Sequence, residues 1–183
     1  MSASSVSGIQ QLVEEYSNGC TLQSISRRIS ESAGTMEEEW RNNKQKKLEQ
    51  AEQVTKALQA ALAQGDTSEN AEYSEALSEL QQIRGAIAIY DEKLQALCDL
   101  ENEKRYEPIG MVLLYSTVCI EDESKSKYIF KIYPKGVSDL SRGIVSRDRA
   151  IIKAAWKCKV GDTFQAWNKG TNTNVTYTVK EIW

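Results

Sequence analysis

Asp66 and Glu69 are the residues of this chain best placed to do chemistry. They stand three apart in the run Gly65-Asp66-Thr67-Ser68-Glu69-Asn70-Ala71-Glu72-Tyr73. At that spacing, two side chains at a helix start can face the same way. Their carboxylates have two uses there. One is ordinary: Asp66 or Thr67 caps the helix that follows, and Glu69 is a favourable charge in its first turn. The other is as oxygen ligands for a hard cation, which two carboxylates alone would hold poorly. Much other site chemistry is excluded. The chain has no histidine, which removes histidine triads and the commonest zinc ligand and general base. Cys20, Cys98, Cys119 and Cys158 are widely and irregularly spaced, with no C-x-x-C pair. They read as reduced, small hydrophobes rather than a zinc site.

The elements around this run read as helix, turn, helix over residues 36–103. Proline is absent from Met1 to Glu107. On the second arm Tyr73, Ala76, Leu80, Ile83, Ile87, Tyr90, Leu94 and Leu97 recur at steps of three and four, an a/d seam longer than three heptads. On the first arm Leu48, Ala51, Val54, Leu58 and Ala61 follow the same rule, while Lys44 and Lys47 fall where apolar residues belong. Each seam is too narrow to stand alone and needs a partner helix. Gly65 suits a left-handed C-terminal cap, and so short a turn makes the arms antiparallel. At 1.5 Å per residue, the first arm from Met36 to Gly65 would be about 45 Å long.

After Pro108 the texture changes. β-Branched and aromatic residues alternate with polar ones, giving candidate strands at Met111–Ile120, Tyr128–Tyr133, Thr163–Trp167 and Asn174–Ile182. Arg149–Lys157 reads as a short amphipathic helix. Val160-Gly161-Asp162 and Asn168-Lys169-Gly170 read as turns. Residues 104–183 are therefore expected to form a small α+β domain of antiparallel strands on one helix. Residues 1–35 form an N-terminal extension, either short helices packed on the base of the hairpin or a mobile segment.

Charge follows the same division. Residues 1–35 carry −1, residues 36–65 are neutral, residues 66–103 carry −8, and residues 104–183 carry +6. The acidic segment would be repelled by a phosphate backbone, which argues against simple DNA coating. The basic segment could meet nucleic acid or an acidic protein surface. No apolar run approaches the roughly 20 residues of a membrane span. Met1 to Gly8 lacks the basic-then-apolar pattern of a signal peptide, so a cytoplasmic location is the default expectation.

The run from Gly65 to Tyr73 resembles the tip of the Gre transcript-cleavage factors, the GreA/GreB family of bacterial transcription elongation factors, which write it G-D-L-x-E-N-A-E-Y. The resemblance extends through Ala76, Glu79, Gly85, Ile87 and Lys93-Leu94. It continues through Val145-Ser146, Lys153-Ala154 and Val160-Gly161-Asp162, and covers roughly residues 36 to 183. It implies an antiparallel coiled-coil hairpin followed by an FKBP-like domain. It also implies a function. The factor would bind RNA polymerase, insert the acidic tip at residues 65–73 into the secondary channel, and stimulate cleavage of backtracked RNA. By the same resemblance, Asp66 and Glu69 would be the catalytic pair that holds Mg²⁺ jointly with the polymerase active site. Mg²⁺ suits this role, since it is usually held by one or two carboxylates plus substrate phosphates. Gly65, Asn70 and Tyr73 would shape the tip. The protein would be a catalytic accessory, a monomer, with the polymerase as the enzyme. RNA 3′ ends and DNA would be met only indirectly, through the polymerase, and no membrane would be involved.

Several residues depart from the family pattern. Thr67-Ser68 replaces leucine and its neighbour, so the tip is less apolar. Arg149-Ala150 stands where the family has Ser-Pro, and Lys157 replaces a glycine. Ser146, Arg149, Lys153 and Lys157 are the expected polymerase-docking residues, within a basic group that includes Arg142, Arg147 and Lys159. With the unusual tip and the extra N-terminal residues, a Gre-like regulator that occupies the channel and inhibits is the rival expectation. A prolyl isomerase is disfavoured, because the second domain is short and has no evident aromatic-rich pocket.

Overall fold

The computed structural model describes residues 3–63, 71–102, 110–168 and 172–183. Three helices come first: α1 (Ala3–Ser17), α2 (Leu22–Ala63) and α3 (Ala71–Asn102). Strands β1 (Thr117–Asp122) and β2 (Lys127–Tyr133) follow, then a 3₁₀ turn (Leu140–Arg142) and β3 (Ile144–Ser146). Helix α4 (Ala150–Ala155) and strands β4 (Thr163–Asn168) and β5 (Thr173–Ile182) complete the chain. Two compact units result. One is Met36–Gln95. The other is assembled from both ends of the chain, Met1–Thr35 with Ala96–Trp183.

The first unit is a two-helix hairpin. Lys44 on α2 pairs with Asp91 on α3, whereas Ala51 to Gln59 lie alongside Leu80 and Arg84. Numbers rise on one arm as they fall on the other, so the arms are antiparallel. Every apolar position expected on the α3 seam from Tyr73 to Leu94 is at least half-buried, and Leu80, Ile83 and Leu94 are fully so. The α2 seam differs by one position. Leu48 is 43% exposed, and the half-buried residue is Lys47. The seam thus runs Met36, Trp40, Lys44, Lys47, Ala51, Val54, Leu58, Ala61, keeping steps of three and four by accepting two lysines. Their aliphatic stems can cover apolar surface while the ammonium groups reach outward.

The second unit is a curled five-stranded sheet in the order β3-β2-β1-β5-β4. The expected antiparallel sheet is in fact mixed, because β2 and β3 pair in parallel, Lys131 opposite Ile144 to Tyr133 opposite Ser146. β3 was not among the expected strands; three residues are too few for an alternation to register. The first strand starts at Thr117 rather than Met111, since Met111 makes only an isolated bridge to Lys159. One face of the sheet carries the core: Val118, Ile120, Phe130, Ile132, Phe164, Tyr177 and Val179, closed by Ile152 and Ala155 of α4.

The opposite face is covered by the N-terminal residues. Leu12 of α1 and Leu22, Ile25, Ile29 and Ala33 of α2 are buried. Thr21 starts α2 by accepting a hydrogen bond from the Ser24 N–H (3.2 Å). Polar contacts then seat these helices. Lys131 Nζ donates to Ser26 Oγ (3.2 Å) and Ser30 Oγ (2.7 Å), and Arg142 donates to the Ser32 carbonyl (3.2 Å). Tyr16 donates its hydroxyl proton to Glu181, and Glu15 pairs with Arg28. Gly8 lies so close to the Ser141 backbone that a Cβ there would collide with it. Residues 1–35 are therefore two helical segments serving as a layer of the sheet unit.

Candidate functional site

Gly65, Asp66, Glu69 and Asn70 lie outside the described residues, between the end of α2 at Ala63 and the start of α3 at Ala71. What the structure gives is the support on which they are carried. Both helices run to that end of the hairpin, with Leu58 and Leu80 its outermost buried residues among those described. Tyr73 is half-buried on the seam side of α3, and Glu75 and Glu79 are exposed nearby on the same helix. Leu62 (51% exposed) and Leu77 (40%) are also presented there. Among the described residues no group of three or more acidic or cysteine side chains could hold a metal ion.

The second group of expected site residues surrounds α4. Arg149 is the extended residue that precedes the helix, and its carbonyl accepts from the N–H groups of Ile152 and Lys153, both at 3.0 Å. Arg149, Lys153 and Lys157 are all exposed, as are Arg147 and Lys159. The Arg147 guanidinium lies 5.8 Å from the Trp156 ring centre, which holds that side chain at the surface. Lys157 follows the helix at φ 67, where its N–H donates to the Val112 carbonyl (2.9 Å) and the chain reverses. Arg142 stands apart from the group, since it is tied to Asp139 (3.4 Å) and to Ser32.

Ser146 behaves differently from its expected docking partners. It is 2% exposed. Its hydroxyl lies within hydrogen-bond reach of the Pro134 carbonyl (3.0 Å) and the Asp148 carboxylate, and it accepts from the Gly136 N–H (3.1 Å). That hydroxyl is the leading reason the Asp148 carboxyl sits below the usual carboxylate range, with Lys153 and Arg149 adding to it. Ser146 therefore braces the loop ahead of α4 and offers no surface of its own. The sequence held a faint sign of this in the Ser-x-Asp spacing, a common turn-forming pattern.

The fold thus defines a class: a two-helix antiparallel hairpin joined to a curled α+β sheet of the FKBP-like kind. The chain belongs to the GreA/GreB family of transcription elongation factors. The family model for the N-terminal domain of transcription elongation factors matches residues 31–98. The transcription elongation factor GreB of Xanthomonas axonopodis pv. citri is 30% identical over 115 residues, 62% of this chain and 67% of that protein. GreA of Christiangramia forsetii is 30% identical over 131 residues, 71% and 80% of the two chains. Among solved structures, the GreA factor homolog 1 of Thermus thermophilus aligns over 80% of this chain and 94% of its own, at 18% identity and a TM-score of 0.36. GreA/GreB from Nitrosomonas europaea aligns over 46% and 77%, at 24% identity and the same TM-score. Family membership rests on the sequence matches.

Proposed function

We propose that this protein binds RNA polymerase as a monomer, inserts the hairpin end into the secondary channel and stimulates cleavage of backtracked RNA. The observation that carries this reading is the nine-residue run Gly65–Tyr73. It falls inside the family match, and its last three residues begin α3, the second arm of the antiparallel hairpin.

Asp66 and Glu69 would hold Mg²⁺ together with carboxylates of the polymerase. The donor set fits, because both are hard oxygen ligands and two carboxylates are what such an ion takes from one protein when phosphates supply the rest. When bound, the ion would activate water and stabilise the leaving oxygen. The chain's own task is to present the carboxylates. The exposed cations Arg149, Lys153 and Lys157, with Arg147 and Lys159, would dock on an acidic surface, steering association more than adding affinity. The polymerase supplies the remaining machinery, and this protein is an accessory.

The deciding experiment is RNA cleavage in a reconstituted backtracked elongation complex with Mg²⁺, comparing the wild type with Asp66→Ala/Glu69→Ala. Stimulation by the wild type that the double substitution abolishes is the expected result. Slowed nucleotide addition without cleavage, equal in both proteins, would replace this reading with that of a channel-blocking regulator.

A further inference from the structure

The middle of the hairpin carries a pattern that its tip does not explain. On α2 no residue between Met36 and Leu58 is buried, and on α3 none between Ile83 and Leu94 is. Within this stretch two of the five seam positions of α2, between Trp40 and Ala51, are lysines, Lys44 and Lys47. A lysine in a helical seam is a poor choice for stability, and its best-attested use is to specify alignment.

Two contacts cross the seam here in opposite senses. Lys44 Nζ on α2 reaches Asp91 Oδ1 on α3 at 2.5 Å, with the two side chains 31% and 53% exposed. About one turn nearer the hairpin base, Lys93 Nζ on α3 lies over the Trp40 ring on α2 at 5.2 Å. An apolar seam is nearly indifferent to sliding by one heptad. The charged layer is not indifferent. A heptad slide in one sense brings Lys44 opposite Arg84, and in the other opposite Cys98. Slides of four or three residues bring it opposite Ile87 or Leu94. None of these offers a carboxylate.

We propose that Lys44 and Asp91 set the register of the two arms and thereby the axial position of the Asp66–Glu69 pair at the hairpin end. The functional consequence rests on the tip activity proposed above. Lys44 is a positioning residue, acting through the arms and touching neither RNA nor metal.

The test compares Lys44→Leu, Lys44→Gln and the exchanged pair Lys44→Asp/Asp91→Lys in the full chain. Spin labels at Gln53→Cys and Gln82→Cys, with the other reactive cysteines replaced by alanine, report the register. A heptad slide displaces the labels by roughly 10 Å at 1.5 Å per residue. The wild type should give one narrow distance, Lys44→Leu and Lys44→Gln a broadened or displaced one, and the exchanged pair a narrow one again. Helix content by circular dichroism should be unchanged in all three. In the cleavage assay the two single variants should lose at least fivefold in stimulation at saturating factor. Their half-saturating concentration should stay within twofold, and the exchanged pair should recover stimulation. A narrow wild-type distance in Lys44→Leu overturns the register assignment whatever the cleavage result. A wild type that stimulates no cleavage overturns the tip activity, and the distances still decide the register.

Discussion

Lys157 sits at φ 67, two residues past the end of α4, and its N–H donates to the Val112 carbonyl. That conformation crowds the Cβ of any residue but glycine and costs about 1–2 kcal/mol. The position is the one where the resembled family pattern has glycine, and what the lysine leaves exposed is one more cation beside Arg149 and Lys153. Lys157→Gly should relieve the strain while increasing the freedom of the unfolded chain, a counter-effect of about 0.4–1 kcal/mol. The net expectation is a gain of about 0–1.6 kcal/mol. Lys157→Ile, with a branched Cβ forced into the same geometry, should lose about 1–2 kcal/mol. Urea melts of the three proteins check this, and an isoleucine variant as stable as the wild type would show that the chain leaves the left-handed region at no cost. Ser146 teaches a related lesson. A serine that matches a family pattern reads as a contact residue until its hydroxyl is found buried between Pro134, Gly136 and Asp148.

The elements differ in how far their sequences reveal them. The α3 seam is legible because every step of three or four lands on an apolar residue, and the burial follows that series. The α2 seam is legible only in its outer half, since Lys44 and Lys47 interrupt the series and Leu48 sits beside the true position. What places them is the partner helix, which a single helix cannot report. The register within the sheet was likewise beyond reach, because β3 is three residues long and the parallel pairing depends on a long-range crossing. Of the proposed site, the acidic run is visible in the sequence, but residue types alone describe a helix cap equally well and only the family resemblance points to a metal-holding pair; the exposure of Arg149 and Lys153 comes from the structure. Helix α1 was readable only as weakly amphipathic, because polar contacts share the work of seating it. Tyr16 is one of these. Its hydrogen bond to Glu181, together with burial and the Glu181 charge, raises its pKa to about 12, against about 10 for a free tyrosine. The folded state thus keeps a proton that the unfolded chain loses. The stabilisation is complete below pH 10 and disappears as pH rises from 10 through 12. Tyr16→Phe should cost about 1 kcal/mol at pH 8, and the gap to wild type should shrink steadily when melts are repeated up to pH 12. A gap that stays constant would mean the hydroxyl does not bond the carboxylate. Tyr128, also raised to about 12, chiefly by burial, is present in both proteins and cancels in the comparison.

At the scale of the whole molecule, the hairpin is an excursion from a unit whose two parts lie at opposite ends of the chain. The family match begins at residue 31, after all of α1 and the first turns of α2. Those leading residues are nevertheless part of the sheet unit's core. Along β2, Phe130 and Ile132 face the α4 side, and Ile129, Lys131 and Tyr133 face the other. Ile129 and Cys119 are fully buried, and Lys131 is held by Ser26 and Ser30. A chain starting at Met36 would leave that second face bare, together with an ammonium group whose two hydroxyl acceptors are gone. Leu12, Leu22, Ile25, Ile29 and Ala33 are each no more than 8% exposed. At about 1.5–3 kcal/mol for each large side chain, the four large ones represent roughly 6–12 kcal/mol as an upper estimate. That is comparable to the whole stability of an ordinary domain, about 5–15 kcal/mol. The truncated chain should therefore lose the cooperative melt of the sheet unit, with half-buried Trp156 and buried Tyr133 and Tyr177 reporting a loss of fixed environment by near-ultraviolet circular dichroism. The hairpin's helical signal should largely remain, because its seam lies within Met36–Gln95. A truncated protein that keeps the wild-type near-ultraviolet spectrum and melting temperature would show that the sheet closes on α4 alone. Residues 1–35 would then be an appendage to the unit, and their burial a consequence of its folding rather than a cause.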